Sequence, residues 1–236
     1  MNLPVNPPVN PGMVTPVAEN ALLVTLADEI RADLPLTLRS LCQQLDAQKW
    51  PWLLDQVPSY TTLLIIYDPD QLDFRQAAAA IRPVLAQRLD QSAPDTTDRI
   101  IELPVYYSEE SGPDLAALAK ACNLNVEEVV ARHIATTYQV FAMGFAPGFG
   151  FMGEVDPAIA HPRKKTPRQK VPRGSVGIAN RQTAVYPVTS PGGWQIVGRC
   201  PTKLFDRETL SLLSTGDRVR FYSVSRTDYL DLGGEL

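Results

Sequence analysis

The chain has 236 residues, 44% of them hydrophobic, and a formal net charge of -4, which is room and material for one large core or two modest ones. The acidic balance argues against a nucleic-acid partner, and the longest apolar runs, such as "TLLIIY", fall far short of the roughly 20 residues that a membrane helix needs. Three scattered cysteines (Cys42, Cys122, Cys200) and two histidines argue against a disulfide framework and against a metal centre, and the N-terminal stretch lacks a signal peptide's basic-then-apolar order, so a cytoplasmic protein is expected.

Residues 1–19 begin with a proline-rich, uncharged stretch that reads as an extended or disordered tail. From residue 20 to about 92 a small α/β domain is expected. It comprises a strand at "ALLVTL", an amphipathic helix over 34–48, a buried strand at "TTLLIIYD" and a second helix over 73–88. This alternation suits a sandwich of the split βαβ type. The polar stretch "QSAPDTTD", 91–98, marks a domain boundary.

A second domain is expected over 93–228. "RIIELPVYY" reads as a strand, 113–121 and 126–136 as short helices, the latter behind Asn125 as its cap, and "YQVFAMGF" as a strand. Beyond Gly144, glycine and proline punctuate short β-rich runs, "GSVGIAN", "TAVYPV" and "WQIVGR", the texture of a sandwich or closed barrel. "LFDRETLSLL" is expected to form a late helix, "DRVRFYSV" a last strand, and 229–236 a tail. The fold class is therefore α+β.

Two motifs fail on context. Gly148, Gly150 and Gly153 match the dinucleotide-binding G-x-G-x-x-G. However, Pro157 and Pro162 interrupt any following helix, and the acid that would hold a ribose is missing about 20 residues on, so no NAD site is predicted. The phosphate-loop pattern G-x-x-x-x-G-K-[ST] is absent, so any ATP chemistry needs a partner or an unusual site.

The segment "HPRKKTPRQKVPR", 161–173, carries six basic residues and no acid. Such a run is commonly a solvated loop. The alternative is that its three prolines hold Arg168 and Arg173 where their planar forks meet a carboxylate or phosphate. "SPGGWQIVGR" reads as a turn leading into a strand, and Trp194 beside two glycines can pack on a ligand. His133, on the helix behind Asn125, is either a core histidine or a proton carrier. Ser175 and Ser190 lack a visible His/Asp partner pattern, which leaves a serine-hydrolase reading weak.

Taken together, "GFAPGFGFMG", the long block from "TPRQKVPRGSVGIAN" to "GRCPTKLFD", and the upstream "LPVYY…GPDLAALAKACNLNVEEVVARHIATTYQV" resemble the family that includes the 5-oxoprolinase B subunit, the allophanate hydrolase subunit 1 domain and the sporulation-kinase inhibitor KipI. The resemblance implies a small α/β domain followed by a cyclophilin-like β-barrel. It also implies a non-autonomous subunit of an ATP-dependent 5-oxoprolinase, which opens 5-oxoproline to glutamate with C and A partner subunits, the ATP site being shared or on a partner. KipI-like inhibition of a histidine kinase and a carboxyltransferase-type role in urea or allophanate degradation are the alternatives. On this reading Arg168, Arg173 and Arg199 line one anion-accepting groove for a small anionic substrate. Phe145, Phe149 and Trp194 form its apolar walls, Ser175, Ser190 and Gly193 add polar and backbone contacts, and His133 is the proton carrier. Cys200 stands where relatives carry Thr, as a small buried thiol rather than a nucleophile.

Overall fold

The computed structural model describes residues 12–89 and 100–236. The chain divides into two compact units, Met1–Thr97 and Asp98–Leu236, and it is a mixed α/β protein dominated by antiparallel sheet, with five α-helices among the described residues. The stretch 91–98, read above as the boundary, and residues 1–11 of the tail lie outside the described residues. No helix among the described residues is long and apolar enough to cross a membrane.

Unit 1 runs β1 (Met13–Ala18), β2 (Ala21–Thr25), α1 (Leu34–Ala47), β3 (Leu53–Ser59), β4 (Thr62–Tyr67) and α2 (Phe74–Leu89). Its sheet order is β1-β2-β4-β3, every pairing antiparallel, so β2 and β3 are parallel with β4 between them. β2–α1–β3 is thus a split βαβ unit. The cause is visible in the strands. Leu22 and Val24 alternate with half-buried neighbours, as do Leu63 and Ile65, so period 2 puts one apolar row on one face. Leu34, Leu38, Leu41 and Leu45 of α1 and Ala77, Ile81 and Leu85 of α2, at helical spacing, cover that row. Each such fully buried Leu or Ile contributes about 1.5–3 kcal/mol relative to exposure.

The tail expected over 1–19 is corrected from Met13 onward, because Met13–Ala18 pairs with β2. Pro16 is tolerated since β1 is the edge of this sheet, where a missing N–H costs no ladder bond, and the register shifts beside it between Pro16 and Ala18.

Unit 2 contains β5 (Ile100–Val105), α3 (Leu115–Ala121), α4 (Val126–Ala135), β6 (Thr137–Met143), β7 (Gly150–Gly153), a 3-10 turn at Pro157–Ile159, β8 (Arg168–Val171), β9 (Ser175–Ala179), β10 (Gln182–Val185), β11 (Ser190–Gly192), β12 (Gln195–Arg199), β13 (Phe205–Asp206), β14 (Leu210–Ser211), β15 (Arg218–Ser223) and α5 (Arg226–Asp231). The main sheet follows β12-β9-β10-β7-β6-β15-β5, antiparallel except for β5 and β15, which are parallel. Its apolar face meets α3 and α4 in a core of Leu103, Val140, Ile178, Val197, Val219 and Phe221 with Leu118 and Val129.

Among the described residues the expected closed barrel is not found as a continuous ladder. The end strands β5 and β12 meet through a single bridge, Tyr106 opposite Arg199, with N–H···O distances of 2.9 and 3.0 Å. Pro104 within β5 lacks a donor, which weakens any second ladder along that strand.

Two further expectations are corrected. "LFDRETLSLL" is not a helix: Phe205 pairs with Ser211 and Asp206 with Leu210 in a hairpin. The Asp206 carboxylate accepts the Glu208 amide at 2.8 Å, an Asx-type turn that competes with helix, and Leu210 takes φ 61°. The tail expected from 229 is also ordered in part. Ser225 and Asp228 form a capping box for α5, and Tyr229 is 1% exposed.

α4 begins at a capping box in which the Asn125 side chain accepts the Glu128 amide at 2.7 Å and Glu128 accepts the Asn125 amide at 2.8 Å. Asn125→Ala is expected to lower stability by about 1 kcal/mol, read from urea denaturation midpoints, whereas Asn125→Asp should be nearly neutral.

Candidate functional site

The basic segment does not float as a loop. Lys164 donates its amide to the Gly193 carbonyl at 2.7 Å, Gln195 Nε2 donates to the Pro162 carbonyl at 2.9 Å, and β8 pairs with β11 so that Arg168 stands opposite Gly192. These ties hold Lys164 and Arg168 over Asp114, at the start of α3. Lys164 Nζ and Arg168 Nη2 donate to Asp114 Oδ1 at 2.8 and 2.6 Å, and the Ile196 amide donates to Oδ2 at 2.8 Å. The acid is reached because Gly112 lets the chain before α3 pass against β12. A Cβ at Gly112 would come within 2.2 Å of the Val197 carbonyl carbon.

Asp114 is 4% exposed. Burial pushes its pKa up, but the hydrogen bonds from Arg168, Lys164 and the Ile196 amide outweigh that, and the carboxyl titrates below its ordinary 3.8. One carboxylate therefore faces two cations, which leaves a local surplus of positive charge. Arg168 Nη1 is buried and has no hydrogen-bond partner. A buried N–H without a partner is costly, so this nitrogen is the place where an oxyanion gains most.

An aromatic cluster adjoins. Phe149, Tyr186 and Trp194 are nearly inaccessible and meet edge to face, with Phe149 5.3 Å from Tyr186 and 5.8 Å from Trp194 between centroids. The Arg163 guanidinium lies 5.8 Å from the Trp194 ring centre, and the charges of Arg163 and Arg168 act on Tyr186. Phe145 differs from these: it is 62% exposed, touches Phe149 and Tyr186 by its edge, and has φ 70°, a strained value for a bulky residue. Gly148, also at positive φ, completes this turn, while Gly150 and Gly153 lie in β7. Ser190, on β11 opposite Val171, has a buried Oγ without a partner.

The single groove expected from the sequence is two clusters. Arg168, Gly193, Trp194, Phe149 and Phe145 belong to the one just described. Arg199 turns instead to the segment after α5, where its Nη1 donates to the Glu235 carbonyl at 2.8 Å, and Arg173 lines a pocket with Cys200, Tyr229 and Glu235. Ser175 is the cross-strand partner of Arg199 and goes with it. The thiol of Cys200 is buried and its pKa raised by that burial, which keeps it protonated.

His133 belongs to neither cluster. It is wholly buried, stacked 4.8 Å from Phe221, with Nδ1 2.7 Å from the Tyr107 hydroxyl and Nε2 2.9 Å from Thr183 Oγ1. Thr183 donates its one hydroxyl proton to the Gly177 carbonyl at 3.0 Å, so it accepts from Nε2–H, and Tyr107 donates to Nδ1. The ring is neutral and both nitrogens are engaged. Burial lowers its pKa from 6.5 to about 3. The expected proton carrier is thus corrected to a structural tie among α4, β10 and the Tyr107 segment.

Asp114, Tyr186, Tyr107 and Thr183 are the residues that sequence reasoning missed. Asp114 pairs with cations 50 and 54 positions away, and nothing in "GPDLAAL" announces it.

The chain belongs to the family described as carboxyltransferase domain, subdomain C and D, whose model matches residues 13–213. Within it, the chain is 35% identical over 223 residues to the B subunit of 5-oxoprolinase from Bacillus subtilis (strain 168), covering 90% of this chain and 93% of that one. It is also 35% identical to the 5-oxoprolinase B subunit of Escherichia coli O157:H7, with coverage of 87% and 93%. Among solved structures, TTHA0988 superposes with a TM-score of 0.76 at 35% identity, over 90% of this chain and 40% of that protein. The urea carboxylase of Kluyveromyces lactis shares the fold, with a TM-score of 0.70 at 16% identity, over 96% of this chain and 23% of the enzyme. The chain therefore spans well under half the length of these two solved relatives.

Proposed function

We propose that this chain is the B-type subunit of a cytoplasmic, ATP-dependent 5-oxoprolinase that opens the lactam of 5-oxoproline to glutamate, working with C and A subunits and inactive alone. The observation that carries this reading is identity of 33–35% along nearly the whole length of three proteins named as the B subunit of 5-oxoprolinase. ATP, held by a partner or shared, supplies the phosphoryl group that activates the amide oxygen. This chain's part is to bind and orient. Arg168, braced on Asp114, presents its unpartnered Nη1 to the substrate carboxylate or to the developing oxyanion, where a preorganised donor acts most strongly. In this reading Phe145 and Trp194, of the aromatic cluster described with Arg168, supply apolar walls for the substrate.

A carboxyltransferase-type role has one observation in its favour, the description of the matching family. Glutamate release separates the two. With the C and A subunits added, the chain should convert 5-oxoproline to glutamate only when ATP is present, and Arg168→Met should cut the rate by tenfold or more. Arg168→Lys keeps the charge but loses the fork and should recover only part of it. Full activity of Arg168→Met would remove Arg168 from the site. No glutamate from the intact complex, with carboxyl transfer from carboxybiotin instead, would replace the reaction itself.

A further inference from the structure

We propose that Arg199, Ser175 and Arg173 form a second oxyanion-binding site, held closed by the chain's own Glu235 carbonyl. Arg199 and Ser175 face each other across β12 and β9, so their side chains leave the same face of the sheet. Ser175 is wholly buried, its Oγ has no hydrogen-bond partner, and the buried Nε of Arg199 has none either. Two unfilled buried polar groups on one cross-strand pair are rare in a well-made interior, and each costs free energy while it stays unfilled. The pocket beside them is walled by Arg173, Cys200, Pro201, Tyr229 and Gly233–Gly234.

One wall of this pocket is Glu235, whose carbonyl takes up the donors beside it. Arg199 Nη1 and the Tyr229 hydroxyl both donate to Glu235 O, each at 2.8 Å. A neutral carbonyl is the weaker acceptor for a guanidinium, since a carboxylate or phosphate brings a full negative charge and can take two parallel N–H···O bonds from the fork. Nearby acid acts on these arginines only at a distance: the Arg199 charge helps to lower the Glu110 pKa, behind the hydrogen bond from Arg226. Glu110 is taken up by Arg226, with Nε and Nη2 at 3.1 and 3.3 Å, and among the described residues neither Arg173 nor Arg199 makes an ion pair with a carboxylate. An oxyanion with two acceptor oxygens would fill Arg199 Nε and Ser175 Oγ, which the Glu235 carbonyl leaves unfilled.

The strap has a built-in release point. Beyond α5 the chain turns at Gly233, at φ 83°, into Gly234, whose amide donates to the Tyr229 carbonyl at 2.9 Å. A Cβ on Gly234 would lie 2.3 Å from the Tyr229 ring, so any side chain there forces the strap away from Arg199. This site is separate from Arg168, and it stands or falls independently of the 5-oxoprolinase reading.

The test is calorimetric titration of the full chain with sodium acetate and, separately, with inorganic phosphate. Gly234→Val is expected to bind one of these anions at least tenfold more tightly than the parent. Tyr229→Phe, which keeps the packed ring and removes one of the two donors to Glu235, should gain several-fold. Adding Arg199→Met to either variant should abolish the gain. Tighter binding of acetate alone identifies a carboxylate site, and of phosphate alone a phosphate site. The proposal is overturned if a folded Tyr229→Phe and a folded Gly234→Val both bind each anion no better than the parent, or if Arg199→Met leaves the gain intact.

Discussion

Stability is expected to fall as pH drops from 6.5 towards 3, beginning well above the range in which carboxylates titrate, and His133 is the cause of that early part. Its ring has an ordinary pKa of 6.5 and, because burial disfavours the cation, one of about 3 in the folded chain. A group depressed on folding contributes its stability above the unfolded pKa and loses it as pH falls through the folded one, because the unfolded chain takes up the proton first. Between those values each pH unit removes up to about 1.4 kcal/mol, or about 5 kcal/mol in all. Among the described residues no charged group facing the ring offsets this: it meets Tyr107, Thr183, Tyr138 and Phe221, and burial holds the Tyr107 hydroxyl well above its ordinary pKa of 10, as a donor. Urea midpoints at pH 7, 5.5 and 4.5 read the slope. His133→Leu should be less stable than the parent at pH 7, since it strands the Tyr107 hydroxyl, but its profile should be flatter across this window. Parallel profiles for the two would show that another group carries the acid sensitivity.

The same residue shows where sequence reasoning stopped. The helix behind Asn125 was legible because cap, acid at the third position and apolar spacing agree locally, and α1, β2 and β4 were legible from periods of 3.6 and 2. Whether His133 faced solvent or core was not, since the decision rests with Thr183, 50 residues on, and Tyr107, 26 residues back. The late "LFDRETLSLL" misled for a related reason. Its residues have fair helix propensity, but Leu204 and Leu213 bury as the two ends of a hairpin, and the Asp206 turn overrides the weak local preference. At the site, the basic run and Trp194 were legible as composition. That Arg168 and Arg199 part company was not, because it depends on Asp114 and on Glu235, each far from its arginine along the chain.

Removing the Asp114 carboxylate is the other change of large expected effect. Asp114→Ala leaves Lys164 and Arg168 without their acid and the Ile196 amide without its acceptor, and loss of one partner from a buried charge cluster typically costs about 3–5 kcal/mol. Both cations keep partial contact with water, with side chains 32% and 27% exposed, so about 3 kcal/mol is the better expectation. Because this carboxyl titrates below 3.8, its contribution is present above that pH and lost only on stronger acidification, so it overlaps only the acid end of the His133 window. Asp114→Asn keeps the shape and one acceptor oxygen and should cost less. A loss under about 1 kcal/mol for Asp114→Ala in denaturant titration at pH 7 would mean that the cluster is relaxed by solvent and not braced. The two roles of the cluster then separate in one measurement. If Asp114 only positions Arg168, then Asp114→Asn should bind substrate more weakly in the reconstituted complex by loosening the fork. If the acid instead restrains an already sufficient positive charge, its neutralisation should tighten binding, and the bracing argument for Arg168 would be wrong.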